Sequence, residues 1–184
     1  MLIQKLRNAG LCFAQGMTQE QLNQAEEVFG FRFPGEIREF LGFAVPVGKD
    51  FFDYRDVSEK NQKAFQDFQN RMEEYFRFDL ANNREDMLEL LAEPLGNPVD
   101  FDKAVLECFH SSVKLIPFYA HRCFFDGMDD MPIVSFWQPT DSIFYGYDFR
   151  DYLEKEFLGK QDSPRALPEN FPKETGIWYY LLMQ

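Results

Sequence analysis

Apolar positions recur at helical spacing up to about residue 110, and beyond it they gather into short runs broken by turn residues. Thr18 followed by Gln21 is a capping-box pattern. With Leu22, Ala25, Val28 and Phe29 on one stripe and Gly30 as a stop, it predicts a short amphipathic helix. Pro34 suits a first helical turn, and Ile37, Phe40 and Leu41 carry a second helix to about Gly42. The stretch from Val45 to Tyr54, interrupted by Pro46 and Gly48, reads as loop with room for a short strand. Ser58 caps a long amphipathic helix bearing Phe65, Phe68, Met72 and Phe76, and running to about Leu80. Asn83 with Asp86 opens a shorter helix with Met87, Leu90 and Leu91, and Asp100 another with Ala104, Val105, Cys108 and Phe109.

The later runs LIPFY (115–119), RCFF (122–125), PIVSFW (132–137) and SIFYGY (142–147) predict four strands of one sheet. Between them lie the turn formers Asp126, Gly127, Pro139 and Asp141. Phe149, Tyr152, Leu153 and Phe157 return to helical spacing. A polar stretch with Pro164, Pro168 and Pro172 then predicts an extended segment before IWYYLLM, which should dock onto the body. Helices first and hairpin-spaced strands later predict a single α+β domain over residues 1–184.

Composition narrows the function. Thirty-one acidic against 19 basic residues give a formal charge of -12, which disfavours nucleic acid and anionic membranes and speeds encounter with a basic partner. Acidity of this size also serves solubility alone. The 22 phenylalanines predict an aromatic-rich core. The N-terminal residues contain no apolar run of signal-peptide length and no later stretch reads as a membrane span, so a cytoplasmic protein is expected. Cys12, Cys108 and Cys123 are odd in number and widely spaced, as reduced thiols are.

The search for chemistry yields little. The glycines form neither a phosphate loop nor a dinucleotide fingerprint. Two histidines, His110 and His121, do not make a zinc helix. His121 and Cys123, two apart on a strand, stand roughly 6–7 Å apart, too far for a nucleophile and its base. Asp126, Asp129 and Asp130 lack the calcium-loop pattern and read as a solvated turn. Glu85 and Glu89 read as a solvated helix face. No catalytic, cofactor or metal site is expected.

One composite pattern remains. KLIPFYAHR, a turn, and MPIVSFWQPTDSIFYGYDFRDYLEKEF place Lys114 to Pro117, Tyr119, His121, Arg122, Thr140, Asp141, Tyr145, Gly146 and the run Asp148 to Leu153 in characteristic order. Upstream, Thr18 and Glu20, Gly30, Phe33-Pro34 and LGFAVPVGKDFFDYRD extend the likeness over nearly the whole chain. The sequence resembles the bacterial branch of the SUKH superfamily, relatives of the yeast cell-wall-assembly regulators Smi and Knr. It departs from that pattern where Asp129, Asp130, Met131 and Pro132 replace a Gly-Asn-Pro string, and where Tyr54 replaces a tryptophan before Arg55.

The resemblance implies N-terminal helices packed against a mixed, bent sheet formed mainly by the C-terminal half, and no catalytic centre. It implies a protein-binding role: an immunity protein that neutralises a bacterial toxin such as a nuclease, its basic domain attracted by the acidic chain. A regulatory or scaffold module for endogenous proteins is the alternative. A monomer or weak homo-oligomer is expected, with binding near Tyr54, Arg55, His121, Arg122 and Tyr145. Arginine makes directed hydrogen bonds and tyrosine pairs an apolar ring with a polar tip. The simpler reading of those five is that the arginines bridge the domain's own carboxylates and the tyrosines cap its core.

Overall fold

The computed structural model describes residues 2–161 and 171–183. Most of the extended segment expected before the last apolar piece lies outside the described residues. The N-terminal half contributes α1 (Leu2–Asn8), β1 (Cys12–Gln15), α2 (Gln19–Phe29), α3 (Gly35–Phe43), β2 (Ala44–Val47), α4 (Glu59–Asn82) and α5 (Arg84–Leu91). Then come α6 (Phe101–Ser111), β3 (Leu115–Tyr119), β4 (Arg122–Phe125), β5 (Ile133–Gln138), β6 (Asp141–Gly146), α7 (Phe149–Leu158), a single 3₁₀ turn (Lys173–Thr175) and α8 (Ile177–Leu182). This is an α+β fold, with N-terminal helices set against a C-terminal sheet. No helix among the described residues is long and apolar enough to cross a membrane.

Local chemistry starts the helices where the sequence says it should. The Thr18 hydroxyl accepts the Gln21 amide while the Gln21 side chain accepts the Thr18 amide, and Gly30 closes α2 in the left-handed region. Ser58, Asp100 and Asp148 likewise accept amides in the first turns of α4, α6 and α7. Asn83 is different: its side chain makes no cap for α5 and donates to Asp79 instead.

The four expected strands form one sheet in the order β3-β4-β5-β6, every pair antiparallel. A second, two-stranded sheet joins β1 to β2, also antiparallel. The mixed sheet implied by the resemblance is therefore corrected: hairpin-length connections between 115 and 146 reverse the chain at every step, and none is long enough for a parallel crossover.

Alternate side chains of the four-stranded sheet enter different cores. Ile116, Phe118, Phe124 and Ile133 face a core built with Leu6, Leu22, Phe29, Ile37, Phe149 and Tyr152 from α1, α2, α3 and α7. Leu115, Cys123, Phe125, Val134, Phe136 and Phe144 face a second core with Met72, Phe76, Met87, Val105, Trp178 and Leu182 from α4, α5, α6 and α8. Burial on both faces explains why β3 and β4 read as continuous apolar runs with no polar alternation. The long helix α4 serves both, with Phe65 in the first core and Met72 onward in the second.

The turn carboxylates are engaged, where the sequence suggests a solvated loop. Asp126 accepts the Arg32 amide at 2.7 Å and Asp129 the Gly35 amide at 2.5 Å, so the β4–β5 loop is stapled to the entrance of α3. Glu36, in the first turn of α3, lies close to Asp148, Asp130 and Asp129. Its carboxyl is raised to about 7, first by burial and then by the Asp148 charge, against a bond from the Phe149 amide.

Candidate functional site

Tyr54 is corrected first. It is 1% exposed, its ring lies 5.0 Å from Phe33 and 4.7 Å from Phe52, and its hydroxyl donates to the Pro117 carbonyl at 2.5 Å. A side chain enclosed this way pins β3 to the first core and does not reach a partner. Neighbouring Arg55 closes a local fork on Asp53, with bonds of 2.8 and 2.6 Å, and this fork holds the Asp53 carboxyl below its ordinary value despite partial burial.

His121, Arg122 and Tyr145 do come together: Arg122 and Tyr145 lie under α7, and His121, in the β3–β4 turn, reaches the hollow beside α4. The Arg122 side chain is 12% exposed. It donates to Glu156 of α7 at 3.1 Å and to Ser135 at 2.8 Å, and its guanidinium lies 3.7 Å from the centre of the Tyr145 ring. It also touches the His121 ring. Burial, and then the Arg122 charge, keep the His121 imidazole below its ordinary pKa, so it is neutral at pH 7. The cluster knits β4, β5, β6 and α7 together, so Arg122 and Tyr145 both support the sheet.

Beside this cluster lies Tyr152, whose hydroxyl is buried without a hydrogen-bond partner among the described residues. Burial and then the Glu156 charge push its pKa up, so it stays protonated. Gly146 lets α7 come this close: a Cβ there would stand 2.7 Å from the Tyr152 backbone. Cys123 faces the opposite core, fully buried, and burial raises its thiol far out of the nucleophilic range. His121 meanwhile packs edge-on against Trp137. Cys123 is sealed in the core while His121 borders a hollow at its edge, and the contact between them runs from the thiol to the His121 backbone carbonyl at 3.9 Å, not to the ring.

Part of the same face is exposed at its far end. Arg122, Ser135 and Ile143 form one cross-strand row, and α7 covers its Arg122 end while leaving Ile143 43% exposed. Trp137 of β5 is 58% exposed and, with His121, borders a separate hollow beside Phe68, Arg71 and Tyr75 of α4. Ile143 and Tyr147 border a groove of about 470 Å³ along β6. The groove runs between the outer edge of β6 on one side and α5 and α8 on the other, with Leu90, Leu181 and Leu182 as apolar walls and Asp86 and Glu89 on its rim. Among the described residues, β6 pairs only with β5, so its outer edge has no neighbouring strand.

Two devices hold this groove in shape. The Asp79 carboxylate of α4 fixes the β5–β6 turn through Thr140. At the other end Asp151 accepts the Tyr147 amide at 3.0 Å and pairs with Lys155 and Lys160, both at 2.8 Å. Burial opposes ionisation of Asp151, but the two lysines and the Tyr147 amide outweigh it and lower its carboxyl to about 2.

The sequence reading missed Trp137, Ile143, Tyr147 and the groove residues of α5 and α8. The only signal was SIFYGY itself, whose apolar side chains alternate onto both faces of an edge strand where one face is incompletely covered. Among the described residues there is also no group of three or more His, Cys, Asp or Glu side chains placed to hold a metal ion. No protein-family model matches the chain, and neither a curated protein nor a solved structure shows significant similarity to it.

Proposed function

We propose that the chain is a non-enzymatic protein-binding domain of the cytoplasm, and that its task is immunity: it occludes a bacterial toxin domain, such as a nuclease. The observation that carries the binding role is the outer edge of β6, which has no neighbouring strand among the described residues and is bordered by the exposed side chains of Ile143 and Tyr147, with Trp137 exposed on the adjacent strand β5. Exposed large apolar and aromatic side chains beside an unpaired strand edge mark contact surfaces more than they serve a free domain. The toxin reading draws on the SUKH-like sequence pattern and on the charge of -12, which steers a basic polyanion-binding domain toward the surface.

The test is co-expression with basic toxin domains of the nuclease class, starting with any that is encoded beside this chain's gene. Restored growth and a stoichiometric complex, both lost with Trp137→Ala, are the expected result. Growth arrest with no complex would refute immunity, and stable complexes with endogenous proteins alone would point to the regulatory role.

A further inference from the structure

A strand edge asks for a particular kind of ligand. Its outward amides and carbonyls are satisfied by another extended backbone, while a helix or a small molecule leaves most of them unpaired. The edge of β6 is six residues long and lies along a groove whose walls are apolar and whose rim is acidic. Asp86 and Glu89 form no ion pair among the described residues, and Asp141 adds a carboxylate at the start of the strand. The one lysine on the groove, Lys155, is already held by Asp151 at 2.8 Å. The charge that an incoming strand meets is therefore negative.

Resting on the protein-binding reading, we propose that a partner protein adds an extended segment to the outer edge of β6. An apolar side chain seats against Phe144, Leu181 and Leu182, and a lysine or arginine two residues along the segment, on the same face, reaches Asp86 and Glu89. Main-chain bonds to β6 supply affinity, and the apolar and basic side chains on that groove-facing side supply choice of partner. A second copy of this chain is a poor occupant, because edge-to-edge pairing would bring the same carboxylates of two molecules of charge -12 together.

The probe is a capped six-residue peptide carrying valine, lysine and valine at its alternate, groove-facing positions with threonine between them, titrated into the isotope-labelled full chain and followed by amide chemical shifts. We expect shifts concentrated at residues 141–147. Affinity should fall about tenfold when alternate peptide amides are N-methylated, and about tenfold again in the Asp86→Asn, Glu89→Gln double variant. The same peptide with glutamate in place of lysine should not bind. Shifts located elsewhere, or equal binding of the N-methylated peptide, would overturn the proposal. So would β6 amides already hydrogen-bonded in the free chain, or shifts produced by raising the concentration of the chain alone. A toxin complex that forms and leaves residues 141–147 unperturbed would sink this inference while the binding role stands. Peptide binding at β6 with no toxin complex would support this inference and refute only the immunity reading.

Discussion

The carboxylate of Asp79, 0% exposed on α4, accepts the Thr140 amide at 2.9 Å and the Thr140 hydroxyl at 2.8 Å. Its other oxygen accepts the Asn83 side-chain amide at 2.8 Å. A buried carboxyl is tolerated when both its oxygens are hydrogen-bonded, and here three donors reach them. The bonds tie the β5–β6 turn to the helix that runs under the second core. Asp79→Ala should therefore cost about 2–4 kcal/mol in a urea titration. Thr140→Val, which keeps the shape and the amide bond, should cost about 1–2 kcal/mol. Equal stability of both variants and the parent would show that the turn holds itself.

Arg122 and Trp137 are neighbours in the sheet with opposite expected roles. Arg122→Ala removes a largely enclosed guanidinium from Glu156, Ser135 and the Tyr145 ring, so it should lower stability by about 2–4 kcal/mol. Trp137→Ala, at 58% exposure, should change stability by less than about 1 kcal/mol while abolishing partner binding. Thermal melts beside a binding titration distinguish the two, and a Trp137 variant that melts as early as the Arg122 variant would make the tryptophan structural.

Tyr152 carries a hydroxyl that is enclosed and has no partner among the described residues. Removing such a group lifts a desolvation cost with almost no change of shape. Tyr152→Phe should be neutral or stabilise the fold by about 1 kcal/mol. A clear loss of stability in calorimetry would mean that the hydroxyl is bonded in solution.

Two carboxyls respond to pH with opposite sign. Glu36, raised to about 7 by burial and then by Asp148, favours the folded state when protonated. That contribution is complete below the unfolded value of 4.5 and disappears as pH rises through 7. Glu36→Gln should therefore stabilise the chain by about 1–2 kcal/mol at pH 8, after discounting for its partial exposure, and by far less at pH 4. Asp151, lowered to about 2, contributes stability that is present above its unfolded value of 3.8 and lost as pH falls through 2. Denaturant midpoints across this range check both, and a Glu36→Gln gain that does not grow with pH would contradict the assignment.

Elements whose causes are local were legible in the sequence. The caps at Thr18, Ser58, Asp100 and Asp148 act within three residues, and the four late strands are bounded by their own turn formers. What depends on distant partners was not. Strand β1, CFAQ, is too short to show a period, and it exists because β2 pairs with it and because Gly16 admits the Gly42 carbonyl, which a Cβ would meet at 2.1 Å. Tyr54 and Trp137 are both aromatic residues in apolar stretches, and only the packing of helices around them makes one the centre of a core and the other a surface. Asn83 looked like a cap because the residue it serves, Asp79, gains its importance from Thr140, 61 residues away.

A sheet with a core on each face has no side from which water can enter its middle. Amide hydrogens of β4 and β5 sit in ladders between those cores, so they should exchange with solvent only when the whole domain opens. Neither core can melt while keeping the wall it shares with the other, because Cys123, Phe124 and Phe125 are successive residues of one strand that serve both in turn. The helices on the two sides, although far apart in the chain, should therefore lose their structure in a single event.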